Sequence, residues 1–235
     1  MDIDDIDKIE CGDKELFICM NKLMHNKDID YLRECLLKVR DKNLHILFYD
    51  MAVYNIAREL GIEDKLVIYQ DHLNASILSN RFYNRLGIKY SFITSDITME
   101  ELLLIKRNVD SKIMFLGYGY LPMFYSRRYL ISNYLKYIDQ FDGEKSKYEI
   151  VSDMGKKYTI AEEENGTTIY TDREVNLINY MEQLDEIDYI VMNSNNIDSD
   201  EYLRMVDKFI KREKMDDCYL GFLDKKTIYK VKGAN

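Results

Sequence analysis

The sequence predicts an α/β chain of the (β/α)8, TIM-barrel-like kind, either complete or short of a full ring, with a β-hairpin inserted near residues 147–160. Three observations carry that expectation. Short apolar runs alternate with longer segments whose apolar residues recur at helical spacing, and strands separated by helices require parallel crossovers. The runs are continuously apolar, as parallel strands buried on both faces must be. No glycine-rich dinucleotide fingerprint follows the first run, which places a doubly wound open sheet second.

The elements follow in order. Glu15–Met20 (ELFICM) reads as a strand and Asp28–Arg40 as a helix, with Asp28 as its cap and Ile29, Leu32, Leu36 and Val39 as one buried stripe. His45–Tyr49 is a strand and Ala52–Leu60 a helix closed by Gly61; Leu66–Tyr69 is a strand and Ala75–Leu86 a helix closed by Gly87. Tyr90–Ile93 precedes a helix over Thr98–Arg107, where Thr98 and Glu101 make a capping-box pattern. Lys112–Leu116 is the fifth strand. The rhythm then breaks across Gly117–Asp142, and Lys147–Ile160 reads as a hairpin turning near Asp153–Gly155. Strand Thr168–Tyr170, helix Glu174–Leu184, strand Tyr189–Met192 and helix Ser199–Lys211 resume it. The tail offers an eighth strand near Tyr219–Leu223 and further strand character around Asp224–Lys226. Low-complexity linkers are absent, so residues 1–235 read as a single domain with residues 1–13 as an acidic lead-in.

Composition narrows the function. Apolar residues make up 46% and charged residues 32%, a globular balance. A net charge of −9, with five acids and one lysine in the first ten residues, argues against a dedicated nucleic-acid-binding domain while leaving room for a local basic patch. No apolar run is long enough to span a membrane, and the acidic start is unlike a signal peptide, so a cytoplasmic protein without membrane contact is expected. Cys11, Cys19, Cys35 and Cys218 show no CxxC spacing and read as buried, inert thiols; His25, His45 and His72 are scattered. No metal site and no cofactor is expected from these residues.

In barrels, reactive groups sit just past the strand C-termini. Those positions hold Asn21, Asp50, Gln70 with Asp71, Ser95 with Asp96, Gly117–Gly119, Asp172, and Asn193 with Asn195. The same residue types cap helices and make turns, so each has a structural reading beside the functional one. Asn21 and Gln70 fall at no obvious cap. In Tyr125-Ser126-Arg127-Arg128 a guanidinium could clamp a carboxylate or phosphate, or the arginines could be a plain surface pair. Ser126 has no recognisable His/Asp companion. The resulting candidate substrate-binding set is Asn21, Asp50, Gln70, Tyr125, Arg128 and Asn193, with Arg128 expected partly buried on an anion or an acidic side chain; no catalytic residue is assigned.

Met114–Ser132 (MFLGYGYLPMFYSRRYLIS) resembles the signature of peptidase family U32, the collagenase-like peptidases, with Gly119, Leu121, Tyr125, Ser126, Arg128, Ile131 and Ser132 fitting. The resemblance extends over roughly residues 14–232. It implies the barrel fold and, for several family members, hydroxylation of RNA bases or quinones with an iron–sulfur cluster held by cysteines in and after the signature. This chain departs from the signature at Met114, where the family has glutamate, at Pro122 and Tyr129, where it has cysteines, and at Arg127, where it has glycine. No cysteine lies between Cys35 and Cys218, so the family-type cluster lacks its thiolates. The family's first strand–helix unit has no counterpart before Glu15.

The resemblance therefore implies a shortened, cluster-free pseudoenzyme. The first expectation is an accessory or non-catalytic subunit in RNA (tRNA or rRNA) hydroxylation, paired with a cluster-bearing U32-family partner subunit or with itself as a homodimer, with RNA a further partner. A peptidase-like hydrolase and a small-molecule binding module are the alternatives. Strand Glu15–Met20 should then present an open edge, closed within the chain by Tyr219–Tyr229 or covered by a second subunit.

Overall fold

A computed structural model describes residues 3–225 apart from 21, 71, 142 and 144–146. The chain divides into two compact units, one containing residues 3–115 and 186–189, the other 116–185 and 190–224.

In the first unit β1 (Phe17–Met20), β2 (His45–Phe48), β3 (Leu66–Tyr69), β4 (Tyr90–Phe92) and the start of β5 (Lys112–Gly119) pair in consecutive parallel order. The structure is mixed α/β with a curled parallel sheet forming a half-barrel. Helices α1 (Ile29–Val39), α2 (Met51–Leu60), α3 (Ile77–Arg85) and α4 (Met99–Arg107) connect the strands. Ile18, Ile46, Phe48, Leu66 and Ile68 pack with Leu32, Leu36, Val39, Val53 and Ile56 of the helices. The local signals hold: Gly61 adopts φ +70 at the end of α2, and Thr98 and Glu101 form the reciprocal capping box of α4. Asp28 does not cap α1; its carboxylate instead accepts the His25 N–H at 2.9 Å within a preceding 3₁₀ turn. Ile6 is buried in the core, Ile3 packs against it and Asp7 pairs with Lys42, so the acidic lead-in is anchored to the first unit. Of the cysteines only Cys35 is buried and Cys19 is exposed, correcting the expectation of four buried thiols.

At the strand N-termini of this unit, Phe17 stacks on His45 at 4.7 Å and His45 lies 4.3 Å from the Tyr90 ring. Lys112 sits over Tyr90 and Tyr189, whose hydroxyl donates to Glu15 at 2.5 Å. Burial, chiefly, pushes the Tyr189 hydroxyl and the His45 imidazole toward their neutral forms.

The second unit departs most from expectation. β5 continues to Gly119 and pairs antiparallel with β10 (Val175–Asn176), and β11 (Tyr189–Met192) also pairs with β5. A separate antiparallel sheet runs β6-β9-β8-β7, from β6 (Pro122–Ser126), β7 (Lys147–Val151), β8 (Lys157–Glu163) and β9 (Gly166–Tyr170). The expected hairpin is β7–β8. Thr168–Tyr170, however, belongs to a second hairpin, because Glu164-Asn165 turns the chain straight back, and so is not a parallel barrel strand. The expected helix Glu174–Leu184 is replaced by β10 and two 3₁₀ turns, Ile178–Tyr180 and Gln183–Glu186. Sheet pairing of Val175–Asn176 holds the first residues extended, and the Asn176 side chain accepts the Ile178 N–H, a local bond that competes with helix. Tyr219–Leu223 is not an eighth strand: Tyr219 and Leu220 are irregular and Gly221–Leu223 turns, and the remaining tail from 226 lies outside the described residues. Among the described residues β1 pairs with β2 alone, so the expected internal closure is not made by Tyr219–Leu223. Helix α5 (Leu130–Tyr137) packs on β8 and β9, and α6 (Ser199–Lys211), capped by Asp198, buries Met205 and Phe209 with Tyr118 and Ile178.

Among the described residues, no helix is long and apolar enough to cross a membrane.

Candidate functional site

The Tyr-Ser-x-Arg segment is built into the turn between β8 and β9. The Tyr125 hydroxyl donates to Asn165 O at 2.7 Å and the Tyr129 hydroxyl to Glu164 O at 3.0 Å. Ser126 Oγ accepts the Arg128 N–H at 3.1 Å. Buried Thr167 donates its hydroxyl to Arg128 O at 2.8 Å and accepts the Leu130 N–H at 3.0 Å. Glu162 takes the start of α5: its carboxylate accepts the Ile131 N–H at 2.9 Å, the Ser132 N–H at 3.2 Å and the Ser132 hydroxyl. A carboxylate against first-turn amides answers both their missing acceptors and the helix dipole. Gly166 makes this closeness possible, since a Cβ there would lie 2.8 Å from Arg127 Cα and would overlap Ser126 O.

The second unit holds two further sites of polar chemistry. A cleft of about 780 Å³ is lined on one side by Lys147, Glu149, Thr159, Glu163 and Tyr170, and on the other by the Ser194–Asp198 loop. The Asn196 carboxamide nitrogen is buried there with no hydrogen-bond partner among the described residues. Near the end of β5, burial first and then Glu174 and Glu201 push the Tyr118 hydroxyl up to about 12. Tyr120 is raised by burial and by Glu174. Both phenols therefore stay protonated donors. Carboxamides, hydroxyls, one lysine and carboxylates can hold a polar ligand by hydrogen bonds; they offer no activated nucleophile.

The sequence-predicted residues divide accordingly. Asn21 lies outside the described residues. Asp50 caps α2 through the Ala52 N–H and also accepts the Met24 N–H at 3.0 Å, so its carboxylate is committed to structure. Gln70, at the end of β3, accepts the Tyr83 hydroxyl at 3.4 Å. Tyr125 belongs to the latch. Arg128 is exposed and makes no ion pair among the described residues, which corrects the expectation that it is partly buried on an acidic side chain. Asn193 shapes the cleft loop, its side chain accepting the Asn195 N–H at 2.8 Å. A Cβ on Gly119 would come within 2.7 Å of it, so that glycine is needed for strand packing. Tyr125 and Arg128 thus share one segment and Asn193 borders the neighbouring cleft, whereas Asp50 and Gln70 belong to the first unit.

Sequence reasoning passed over Glu162 and the Tyr118–Tyr120–Glu174 group. It also passed over His72, whose Nδ1 lies 2.9 Å from Asp96 Oδ2, a carboxylate that also accepts the Thr94 hydroxyl at 3.2 Å. The clue for His72 was its place two residues beyond Gln70, just past a strand end.

The residues present do not fit an iron–sulfur cluster. Pro122 opens β6 and offers no donor, and Tyr129 gives its hydroxyl to Glu164 O, where the family signature supplies thiolates. Among the described residues no three His, Cys, Asp or Glu side chains are grouped as metal ligands.

A half-barrel of consecutive parallel strands, joined in sequence to an antiparallel sheet that clasps a Tyr-Ser-x-Arg segment, defines the class: an α/β protein of U32 type. The chain belongs to Peptidase family U32, whose family model matches residues 5–216. It is also 28% identical over 224 residues to the tRNA hydroxylation protein P2 of Bacillus subtilis (strain 168), a match covering 89% of this chain and 71% of that protein. No solved structure matches it.

Proposed function

We propose that this chain is a cluster-free, non-catalytic subunit of an RNA-hydroxylating system, working beside a cluster-bearing member of its family. The observation that carries the reading is the fate of the signature segment. Tyr125 and Tyr129 spend their hydroxyls on holding the β8–β9 turn, Ser126 Oγ accepts the Arg128 N–H, and thiolate positions are filled by Pro122 and Tyr129. What remains outward is Arg128, and the same unit carries a polar cleft: groups that bind rather than turn over. The similarity to a tRNA hydroxylation protein supports RNA as the substrate of the system.

The test is genetic and chemical. Deleting the gene should remove hydroxylated nucleosides from digested tRNA or rRNA, as read by mass spectrometry, and the intact chain should restore them. Unchanged nucleosides after deletion contradict the reading. A second reading, a binding module for a small polar molecule, is favoured by the cleft and its orphaned Asn196 amide. It predicts saturable binding by the isolated chain that Asn196→Ala weakens.

A further inference from the structure

β7 closes one side of the antiparallel sheet. It pairs with β8 through all its residues, from Lys147 opposite Ala161 to Val151 opposite Lys157. Among the described residues nothing pairs with its other edge. An open edge exposes a row of amides and carbonyls that another strand can complete. The residues around it are apolar as well: Ile150 is 40% exposed, Val151 60% and Met154, in the following turn, 83%.

The order of side chains along this edge says which strand fits. Strand alternation puts Lys147 and Glu149 on one face and Tyr148 and Ile150 on the other. We infer that β7 pairs antiparallel with β7 of a second copy of this chain, about a two-fold axis through Tyr148, joining two four-stranded sheets into one of eight. In that register Lys147 of each copy faces Glu149 of the other, twice over, and Tyr148 faces itself. Sliding the axis to Glu149 would set like charges directly opposite, which cross-strand pairing penalises. Lys147 makes no ion pair among the described residues, while Glu149 is held 2.9 Å from Lys157 on the neighbouring strand. The charge pattern is therefore complementary to itself in one register. Lys147 and Glu149 also line the polar cleft, but the pairing is read by mass and crosslinking and so stands or falls apart from the RNA reading.

A single short strand pair buries less than a standard interface, so the dimer is weak, with dissociation in the micromolar range. Light scattering on the full chain at about 100 μM, well above that range, should give the dimer mass. Lys147→Glu and Glu149→Lys should each give monomers, because each places like charges opposite; circular dichroism checks that both are folded. Mixing the two variants in equal amounts should restore a dimer, since each then complements the other. Tyr148→Cys should form a covalent dimer under mild oxidation, which neither the parent chain nor Ile150→Cys forms, and this readout stands even where a charge variant fails to fold. A monomeric parent chain at that concentration, or Ile150→Cys crosslinking as readily as Tyr148→Cys, overturns the inference.

Discussion

Replacing Glu162 with alanine tests whether the signature segment is held as a structural latch. The carboxylate accepts two backbone N–H groups at 2.9 and 3.2 Å and the Ser132 hydroxyl, all at the start of α5. Hydrogen bonds to a charged acceptor contribute about 1.5–3 kcal/mol each when counted singly, and loss of a helix cap costs about 0.5–2 kcal/mol. The contacts share one carboxylate and the site is half-buried, so water recovers part of the loss, and the expected destabilisation is about 2–3 kcal/mol. With a urea dependence near 2–3 kcal/mol per molar, the unfolding midpoint should fall by about 1 M. Glu162→Gln keeps one acceptor oxygen and should lose roughly half as much. Glu163→Ala, on the opposite face of β8, should leave the midpoint in place. A Glu162→Ala midpoint within about 0.2 M of the parent chain would refute the latch, since uncoupled surface changes stay within about 0.5 kcal/mol.

Other outcomes follow from the same geometry. Gly166→Ala combines a positive φ of 131° with overlap onto Ser126 O and should cost about 3 kcal/mol or more; chemical denaturation reads it, and a loss under 1 kcal/mol would remove the close approach from the account. Arg128→Ala, at an exposed side chain without an ion pair among the described residues, should leave stability within about 0.5 kcal/mol while lowering RNA hydroxylation in the deletion strain that it complements. His45 has a folded-state pKa below its ordinary value because it is desolvated, with Lys112 adding to that and Glu15 opposing it. The folded chain therefore binds fewer protons than the unfolded one, so stability is full above about pH 6.5 and declines as pH falls through the window below it. Denaturation across pH 5.5–7, the range set by histidine titration, should show that slope, and His45→Phe should flatten it.

Much of the first unit was legible because its signals are local. Continuous apolar runs gave β1 to β5, and Gly61 and the Thr98–Glu101 pair marked helix ends where the structure has them. The second unit was less legible because long-range pairing decides it. Val175–Asn176 carries enough helical spacing to be read as helix, and long-range bonds, to the partner strand at Tyr118–Gly119 and from the Asn176 N–H to Tyr219 O, hold it extended. The hairpin at Glu164-Asn165 did have a local sign, since Asn-Gly is a strong turn pair, but it was outweighed by the expected barrel rhythm. For the site, residue types past strand ends led to Asp50 and Asn193, yet type alone could not separate a cap or an Asx turn from a ligand contact. Glu162 was invisible for a different reason: its partners, Ile131 and Ser132, lie thirty residues away in sequence.

The central claim, a family member that works without its own cluster, meets its most direct test in one measurement. The tagged chain is purified anaerobically from its own host, and iron and acid-labile sulfide are measured in each chain of the material recovered. The account predicts a cluster-bearing family member alongside it, with the iron and sulfide following that partner and none following this chain. Stoichiometric iron and sulfide on this chain itself would contradict it.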